Sequence, residues 1–328
     1  MGRVLTYAVT LWAVVTLNFL LPRLLPGDPF LWLSGEAGEE VALLTEEQHR
    51  VLMAQYGLDR PLPEQYRRYL AGLARGDLGF SIYYREPVAA LVGRRLPWSL
   101  LVVGGATLLS LGVGVVLGAA SVWRRGRLLD RSLLVGLLVV GEIPAFLVGM
   151  VLLVGLAGVL GWFPLGGART PFAGPVPPWQ AVADVLHHAA LPVAALAISQ
   201  LGGFYLLSRN SLVTVLAKDF IRTARAKGVP ERLVRDRHAL RNALLPVVTR
   251  GAMQFGAAVG GSVLVENVFA YPGLGRLMGE AVAVRDYPLL QGTFLVLAVA
   301  VMGANLAADL VYRWLDPRVG SGGEPGGR

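Results

Sequence analysis

Cysteine is absent from this 328-residue chain, and lysine is nearly so: Lys218 and Lys227 are the only lysines among 30 basic residues. The first absence excludes disulfides, a thiolate nucleophile and Cys-based metal sites. The second bears on nucleotide hydrolysis. A P-loop needs a Gly before its Lys, and here Ala217 precedes Lys218 and Ala226 precedes Lys227. Histidine is scarce as well. His49, His187, His188 and His238 form no H-E-x-x-H, and no G-x-S-x-G occurs. The adjacent His187 and His188 lack a third ligand in sequence and read as a solvated pair. The chain therefore offers no catalytic residue, no metal site and no cofactor of its own, and it reads as a non-enzyme.

What it has in quantity is apolar sequence: 54% hydrophobic residues and a mean hydropathy of +0.55. The apolar residues come in continuous runs of roughly 20, each long enough to cross ~30 Å of hydrocarbon. Spans are expected near 4–25, 98–122, 132–160, 189–211, 245–268 and 289–312. This is the pattern of an all-α membrane protein with six transmembrane helices. Continuous rather than alternating runs disfavour a β-barrel. The first run follows Arg3 like a signal peptide, but it is too long and reaches Pro22-Arg23 without a small-x-small cleavage site. It reads as a retained span over 1–25.

The net charge of +8 has a definite placement. Lys and Arg in short loops set membrane topology. The loop between spans two and three carries Arg124, Arg125, Arg127 and Arg131, and the stretch from 209 to 250 carries ten basic residues. The opposite loops hold Arg169 alone, and Arg276 with Arg285. Both termini, including the tail at 313–328, are thus expected in the cytoplasm. The segment 26–97 is expected outside, where its Arg residues are offset by Asp and Glu.

The most basic stretch, DFIRTARAKGVPERLVRDRHALRNALLP, lies within a cytoplasmic loop at 212–245 and enters span five. It is punctuated as two helices meeting at a sharp turn. Arg225 and Lys227 occupy the last turn of the first helix, where cations suit the negative dipole end. Gly228 stands where a left-handed residue is wanted. Pro230 suits the first position of the second helix, with Glu231 in its first turn. Val229, Leu233, Leu240 and Leu244 form an apolar stripe, with Arg232, Arg235 and Arg241 pointing elsewhere. A DNA-reading helix-turn-helix also turns at Gly. Here membrane spans bracket the elbow at both ends and leave no tether to reach a groove, so nucleic acid is not an expected partner. A charged elbow between spans is instead a part that something outside the membrane can push on.

The segment 26–97 is expected to hold short amphipathic helices. Thr45-Glu46-Glu47-Gln48 is a capping box opening a helix that Gly57 stops. Pro63 opens another, with Tyr66, Tyr69, Leu70 and Leu73 on one face and Gly76 after it. Pro87 opens a third, with Val88, Leu91, Val92 and Arg95 in line. Two readings stand: interfacial helices capping the spans, or part of a docking surface. Within the core at 98–312, small residues recur every four positions: Ser110, Gly114 and Gly118; Ala252, Gly256 and Gly260; Ala300, Ala304 and Ala308. Such spacing lets membrane helices approach closely, either within one bundle or against a second subunit. Span three carries Glu142 about ten residues from its start, with Pro144 positioned to kink it. An intramembrane acid is costly unless paired, protonated or facing water. It lines a passage or bonds a neighbouring helix.

RTARAKG at 222–228 followed by RHALRNALLPVV at 237–248 resembles the cytoplasmic loop of ABC-importer permeases, the dipeptide/oligopeptide/nickel branch in particular. Further segments fit that branch: LLPGDP at 24–29, YGLDRPLPEQYRRYL at 56–70, GDLGFS at 76–81, RLPWSL at 95–100, VENVFAYPGLGRL at 265–277, RDYPLLQG at 285–292 and LDPR at 315–318. The resemblance implies a permease paired with a second, similar permease. It implies two cytoplasmic ATPases carrying ATP and Mg, and an extracytoplasmic binding protein that delivers solute. The coupling helix that enters an ATPase groove would fall at 230–242. The residues carried over are Asp219, Arg222, Ala224, Lys227, Gly228, Pro230, Leu233, Arg237, His238, Asn242 and Pro246. The broader family's Glu-Ala-Ala opening reads Arg222-Thr223-Ala224 here, so a role resting on that acid is lost. Glu142 is not a residue the family leads one to expect. With Pro144 it is the candidate for the translocation path, and it supports a second reading, a stand-alone secondary transporter. Peptides, nickel chelates and oligosaccharides all fit the resemblance as solutes.

Overall fold

A computed structural model describes residues 2–24, 45–172 and 174–315. Among these the chain is helical, with one isolated antiparallel bridge between Phe80 and Pro87. The helices in order are α1 (Gly2–Leu24), α2 (Glu46–Gln55), α3 (Leu62–Ala74), α4 (Val88–Trp123), α5 (Leu128–Gly141), α6 (Ala145–Leu152), α7 (Pro178–Leu216), α8 (Asp219–Ala226), α9 (Glu231–Leu233), α10 (Arg241–Val268), α11 (Leu274–Ala283) and α12 (Tyr287–Leu315). Two stretches wind as π-helix, Leu153–Val159 after α6 and Val234–Leu240 between α9 and α10.

Among the described residues, four helices are long and apolar enough to cross a membrane: α1, α4, α7 and α12. The pair Leu128–Gly141 and Ala145–Val159 is together long and apolar enough for a fifth crossing, but is bent by 97° at the break between its helices. The remaining expected span, α10, is 28 residues long but interrupts its apolar residues with Thr249, Arg250, Gln254 and Glu266. Boundaries also differ from expectation. The helix expected to open at Pro87 is no separate surface piece, because it runs on through Pro97 as a single 36-residue helix, α4. Span three is not a kinked rod but two helices. Pro144 adopts an extended backbone (ψ 134°) and caps α6, so the chain turns sharply at Glu142-Ile143-Pro144. Of the quoted motifs, most of LLPGDP and LDPR lies outside the described residues, as does most of the tail at 313–328.

The chain divides into two compact units, residues 1–97 with 272–299 and residues 98–271 with 300–328. In the first unit the sequence cues for turns hold. Thr45 and Gln48 exchange both capping-box bonds (3.3 and 3.0 Å), and Gly57 and Gly76 take positive φ at the ends of α2 and α3. Tyr66 and Tyr69 of α3 pack on Phe19 of α1 at ring distances of 5.1 and 5.6 Å. Asn18 donates to the Gln291 carbonyl at 2.7 Å. Two motifs that carry the resemblance meet here. Asp286, fully buried, accepts the Ser81 hydroxyl and the Tyr83 N–H through one oxygen, and the Leu289 N–H through the other. GDLGFS and RDYPLLQG are thus the two sides of one structural joint.

In the second unit α7 is the central element, packed against α5, α6 and α10. Its core holds Val102, Ala106, Ala195, Leu196, Val265 and Tyr271. Glu266 is fully buried and accepts from the hydroxyls of Ser99 (2.7 Å) and Ser262 (3.2 Å), while Trp98 meets Tyr271 edge-on at 6.0 Å. RLPWSL and VENVFAYPG are therefore another such joint. His188 is buried and contacts Asp184 at 3.4 Å, and His187 bonds the Trp162 carbonyl at 2.9 Å. Of the expected solvated pair, His187 is exposed, while His188 is buried because it falls on the packed side of α7.

The stripe on α4 packs inside the chain. A Cβ at Gly114 would stand 2.7 Å from the Phe204 Cβ, and one at Gly118 would stand 2.8 Å from the Ser208 Cβ. The side chains of Ala252, Gly256, Gly260 and Ala308 lie outside those described. On α7 itself, a Cβ at Gly202 would stand 2.5 Å from the Leu137 carbonyl oxygen, whereas one at Gly203 would meet nothing within 4 Å. Gly202→Ala is therefore expected to separate α5 from α7 and destabilise the protein by about 1–3 kcal/mol. Gly203→Ala is expected to change stability little. Thermal unfolding of the two purified variants checks this, and equal effects would contradict the backbone contact.

Candidate functional site

The elbow begins where α7 ends. Lys218 is extended (φ −73°, ψ 150°), and α8 then runs over Asp219–Ala226. Its C-terminus closes as a Schellman motif. Gly228 takes φ +76°. Its N–H donates to Arg225 O at 3.0 Å, and the Val229 N–H donates to Ala224 O at 3.2 Å. Pro230 (φ −51°, ψ 137°) caps the next helix and lies just outside it, one residue earlier than the sequence suggests. Across the turn, the Arg225 guanidinium donates both Nε (3.1 Å) and Nη2 (2.7 Å) to Glu231. The Arg225 hydrogen bonds hold the Glu231 carboxyl below its ordinary 4.5, and the same contact raises Arg225.

The elbow is braced from behind. Ile221 and Ala224 of α8 and Val234 and Ala239 of the π-helix pack with Ala119 and Val122 of α4, Leu212 of α7 and Ala243 of α10. The Arg235 guanidinium lies 4.3 Å over the Trp123 ring, and the Ser211 hydroxyl donates to Ala243 O at 2.8 Å. Close by in the chain, Asp130 is buried at the start of α5. Its carboxylate accepts from Arg209 Nε (3.0 Å) and Nη2 (3.2 Å), from the Ser121 hydroxyl and from the Gly126 N–H (3.0 Å). Ser121 also shares a 2.8 Å contact with the Tyr205 hydroxyl. This ties the loop after α4 to α7.

The second helix of the elbow differs from expectation. No break follows Asn242: the chain stays helical from Glu231 to Val268. Seven residues, Val234–Leu240, wind as π-helix, which widens the turn and rotates the faces. Val234 and Ala239, five apart, point inward and are fully buried, while Leu233 is 43% exposed. The expected stripe of Val229, Leu233, Leu240 and Leu244 thus splits. Leu233 goes out, the other three are half-buried, and Arg235 folds in on Trp123.

The residues carried over from the resemblance separate into two sets. Asp219, Arg222, Lys227, Gly228, Pro230, Leu233, Arg237, Asn242 and Pro246 are exposed. Ala224 is buried in the brace, and His238 is half-buried with its carbonyl accepting from Asn242 Nδ2 at 2.6 Å. Phe220, which the sequence reading passed over, is exposed on α8 at 43%. Exposed on the elbow are thus two large apolar side chains, Phe220 and Leu233, with Arg222, Lys227, Arg232 and Arg237 outnumbering the acids Asp219 and Asp236.

Glu142 and Pro144 lie elsewhere in this unit, at the break in span three. Glu142 is exposed and lines a cleft of about 310 Å³ with Ser199, Gln200, Gly203, Arg250 and Gln254. Pro144 shapes the break but does not line that cleft. Buried Glu266 and Asp130 carry no clear sequence signal, because each also binds a partner far off in sequence, Ser99 and Arg209.

The Arg225–Glu231 contact gives a pH-dependent brace with a definite sign. Glu231's carboxyl is more acidic when folded, so the pair stabilises the elbow above 4.5 and loses that contribution as pH falls through the depressed value. Both side chains are about half exposed, so solvent keeps the effect small. Glu231→Gln is expected to lower thermal stability slightly at neutral pH, and the difference from the unsubstituted protein is expected to vanish in acid. A difference that stays constant with pH would contradict the pairing.

Residues 110–321, which include the whole elbow, match the family described as binding-protein-dependent transport system inner membrane component. A putative peptide permease protein of Brucella suis is 39% identical over 94% of each chain. The oligopeptide transport system permease protein AppB of Bacillus subtilis is 34% identical over 97% of each. The glutathione transport system permease protein GsiC of Salmonella paratyphi A is 39% identical, again over 97% of each. With its apolar helices, the chain is a multi-pass protein of the cytoplasmic membrane and belongs to the family of binding-protein-dependent transport system inner membrane components.

Proposed function

We propose that the chain is the permease subunit of an ATP-driven ABC importer that carries peptides or a similar small solute. In this reading it pairs with a second homologous permease, two cytoplasmic ATPases and an extracytoplasmic binding protein. ATP and Mg belong to the ATPases, and this chain binds neither. It crosses the membrane six times with both termini in the cytoplasm. The relatives' names, peptide, oligopeptide and glutathione permease, support the solute class.

The observation that carries the reading is the elbow. Its exposed residues include Phe220 and Leu233 with an excess of basic over acidic groups, while its buried ones pack against α4, α7 and α10. A short amphipathic element of that kind suits a groove on a partner protein. Because Val234 and Ala239 are buried and Arg235 is stacked, force applied at the exposed face passes to α10 directly. No flexible loop intervenes, since the helix is unbroken to Val268. Nucleotide-driven closure of the ATPases would then bias the permease between outward- and inward-facing states through differential contacts at this face. A stand-alone secondary transporter using Glu142 gains no support from the relatives.

Gly228→Val tests the reading. A Cβ there meets nothing within 4 Å, so the substitution acts through φ +76° alone, at a cost of about 1 kcal/mol or more. The expected outcome is a membrane-inserted chain that loses ATPase subunits on purification, or retains them with transport-uncoupled ATP hydrolysis. Stoichiometric ATPase and normal coupled transport in this variant would contradict the proposal.

A further inference from the structure

The cleft beside the break in span three is built from three helices. α5 contributes Gly141 at its end, with Glu142 capping it. α7 contributes Ser199, Gln200 and Gly203, and α10 contributes Arg250 and Gln254. α7 packs against both α5 and α10, so the acid and the base arrive from different helices. Both are exposed, and among the described residues neither side chain has a hydrogen-bond or ion-pair partner. An ionisable side chain within a membrane-spanning bundle is expensive unless water or an opposite charge meets it. Elsewhere in the bundle, by contrast, buried Asp130 is met by Arg209. At about 310 Å³ the cleft is at the low end for small-molecule sites. Its remaining polar groups, Ser199, Gln200 and Gln254, suit peptide-like amides. Gly203 leaves space, since nothing stands within 4 Å of its Cβ position.

We infer that this cleft is a transient subsite for a zwitterionic peptide, with Glu142 receiving the ammonium end and Arg250 the carboxylate end. The inference rests on the import reading above and adds residues to it. Two single charge contacts facing water are weak, which suits a passage: a solute held there must also leave. The uncharged Gln254 and Ser199 select for backbone without selecting a side chain, so peptides of different sequence fit alike.

The natural absence of cysteine makes the test direct. Ser199→Cys, with Gln254→Cys as a second reporter, is labelled with neutral N-ethylmaleimide in inside-out vesicles that hold the whole transporter without nucleotide. Trialanine at millimolar concentration is expected to slow labelling. N-acetyl-trialanine and trialanine amide are each expected to need about fivefold higher concentration, the worth of one solvated charge contact. Glu142→Gln is expected to abolish the distinction between trialanine and its N-acetyl form only. Arg250→Gln is expected to abolish the distinction from the amide only. Failure of either reporter to label, equal slowing by all three peptides, slowing by none, or distinctions that survive both substitutions would overturn the subsite. Labelling requires neither ATP turnover nor the binding protein. Loss of ATPase co-purification therefore sinks the import reading separately, while absent protection sinks the subsite alone.

Discussion

Helix α7 packs by its backbone, and the rest of the second unit is arranged around that contact. Gly114 and Gly118 bring α4 against Phe204 and Ser208, and Gly202 brings α7 against the Leu137 carbonyl of α5. Between lipid-facing helices no hydrophobic drive favours association, so close van der Waals contact at small residues has to hold them. The same helix carries Arg209 to Asp130, lines the cleft with Ser199 and Gly203, and runs into the elbow past Leu212. A shift of α7 therefore reaches both the cleft and the elbow without any flexible intermediary.

Function is proposed at two of the places where the helices are irregular; the π-helical turn at Leu153–Val159 is a third irregularity. Span three breaks at Glu142-Ile143-Pro144 and exposes an acid. The elbow winds as π-helix over Val234–Leu240, which seats Val234 and Ala239 inside and turns Leu233 outward. Irregular backbone within membrane proteins is tolerated where protein or a water-filled cavity covers it. The break and the elbow meet that condition, the first beside a cleft and the second in a braced apolar cluster.

Local chemistry made part of this legible in the sequence. The turn at Gly228, the capping box at Thr45, the stops at Gly57 and Gly76 and the packing stripe on α4 each follow from residues within a few positions of one another. What escaped was long-range or a matter of winding. Asp286 finds Ser81 across 205 residues, and Glu266 finds Ser99 across 167. No local spacing marks such pairs. An α-helical period put Leu233 on one stripe with Val229, Leu240 and Leu244, and the π-winding of Val234–Leu240 splits that stripe. Apolar content alone set span two to begin near 98, whereas α4 starts at Val88 because Pro97 sits in a helix that carries on through it.

The central claim is that the outward face of the elbow, not its buried face, engages an ATPase. Single cysteines in this cysteine-free chain separate the two faces, because Leu233 and Val234 are neighbours with opposite exposure, 43% against 0%. The direct measurement is cross-linking with a short thiol-reactive photoprobe in membranes that contain the complete transporter. The account expects Leu233→Cys to join covalently to an ATPase subunit and Val234→Cys not to. Equal cross-linking from both positions, or an adduct from Val234→Cys alone, would contradict it.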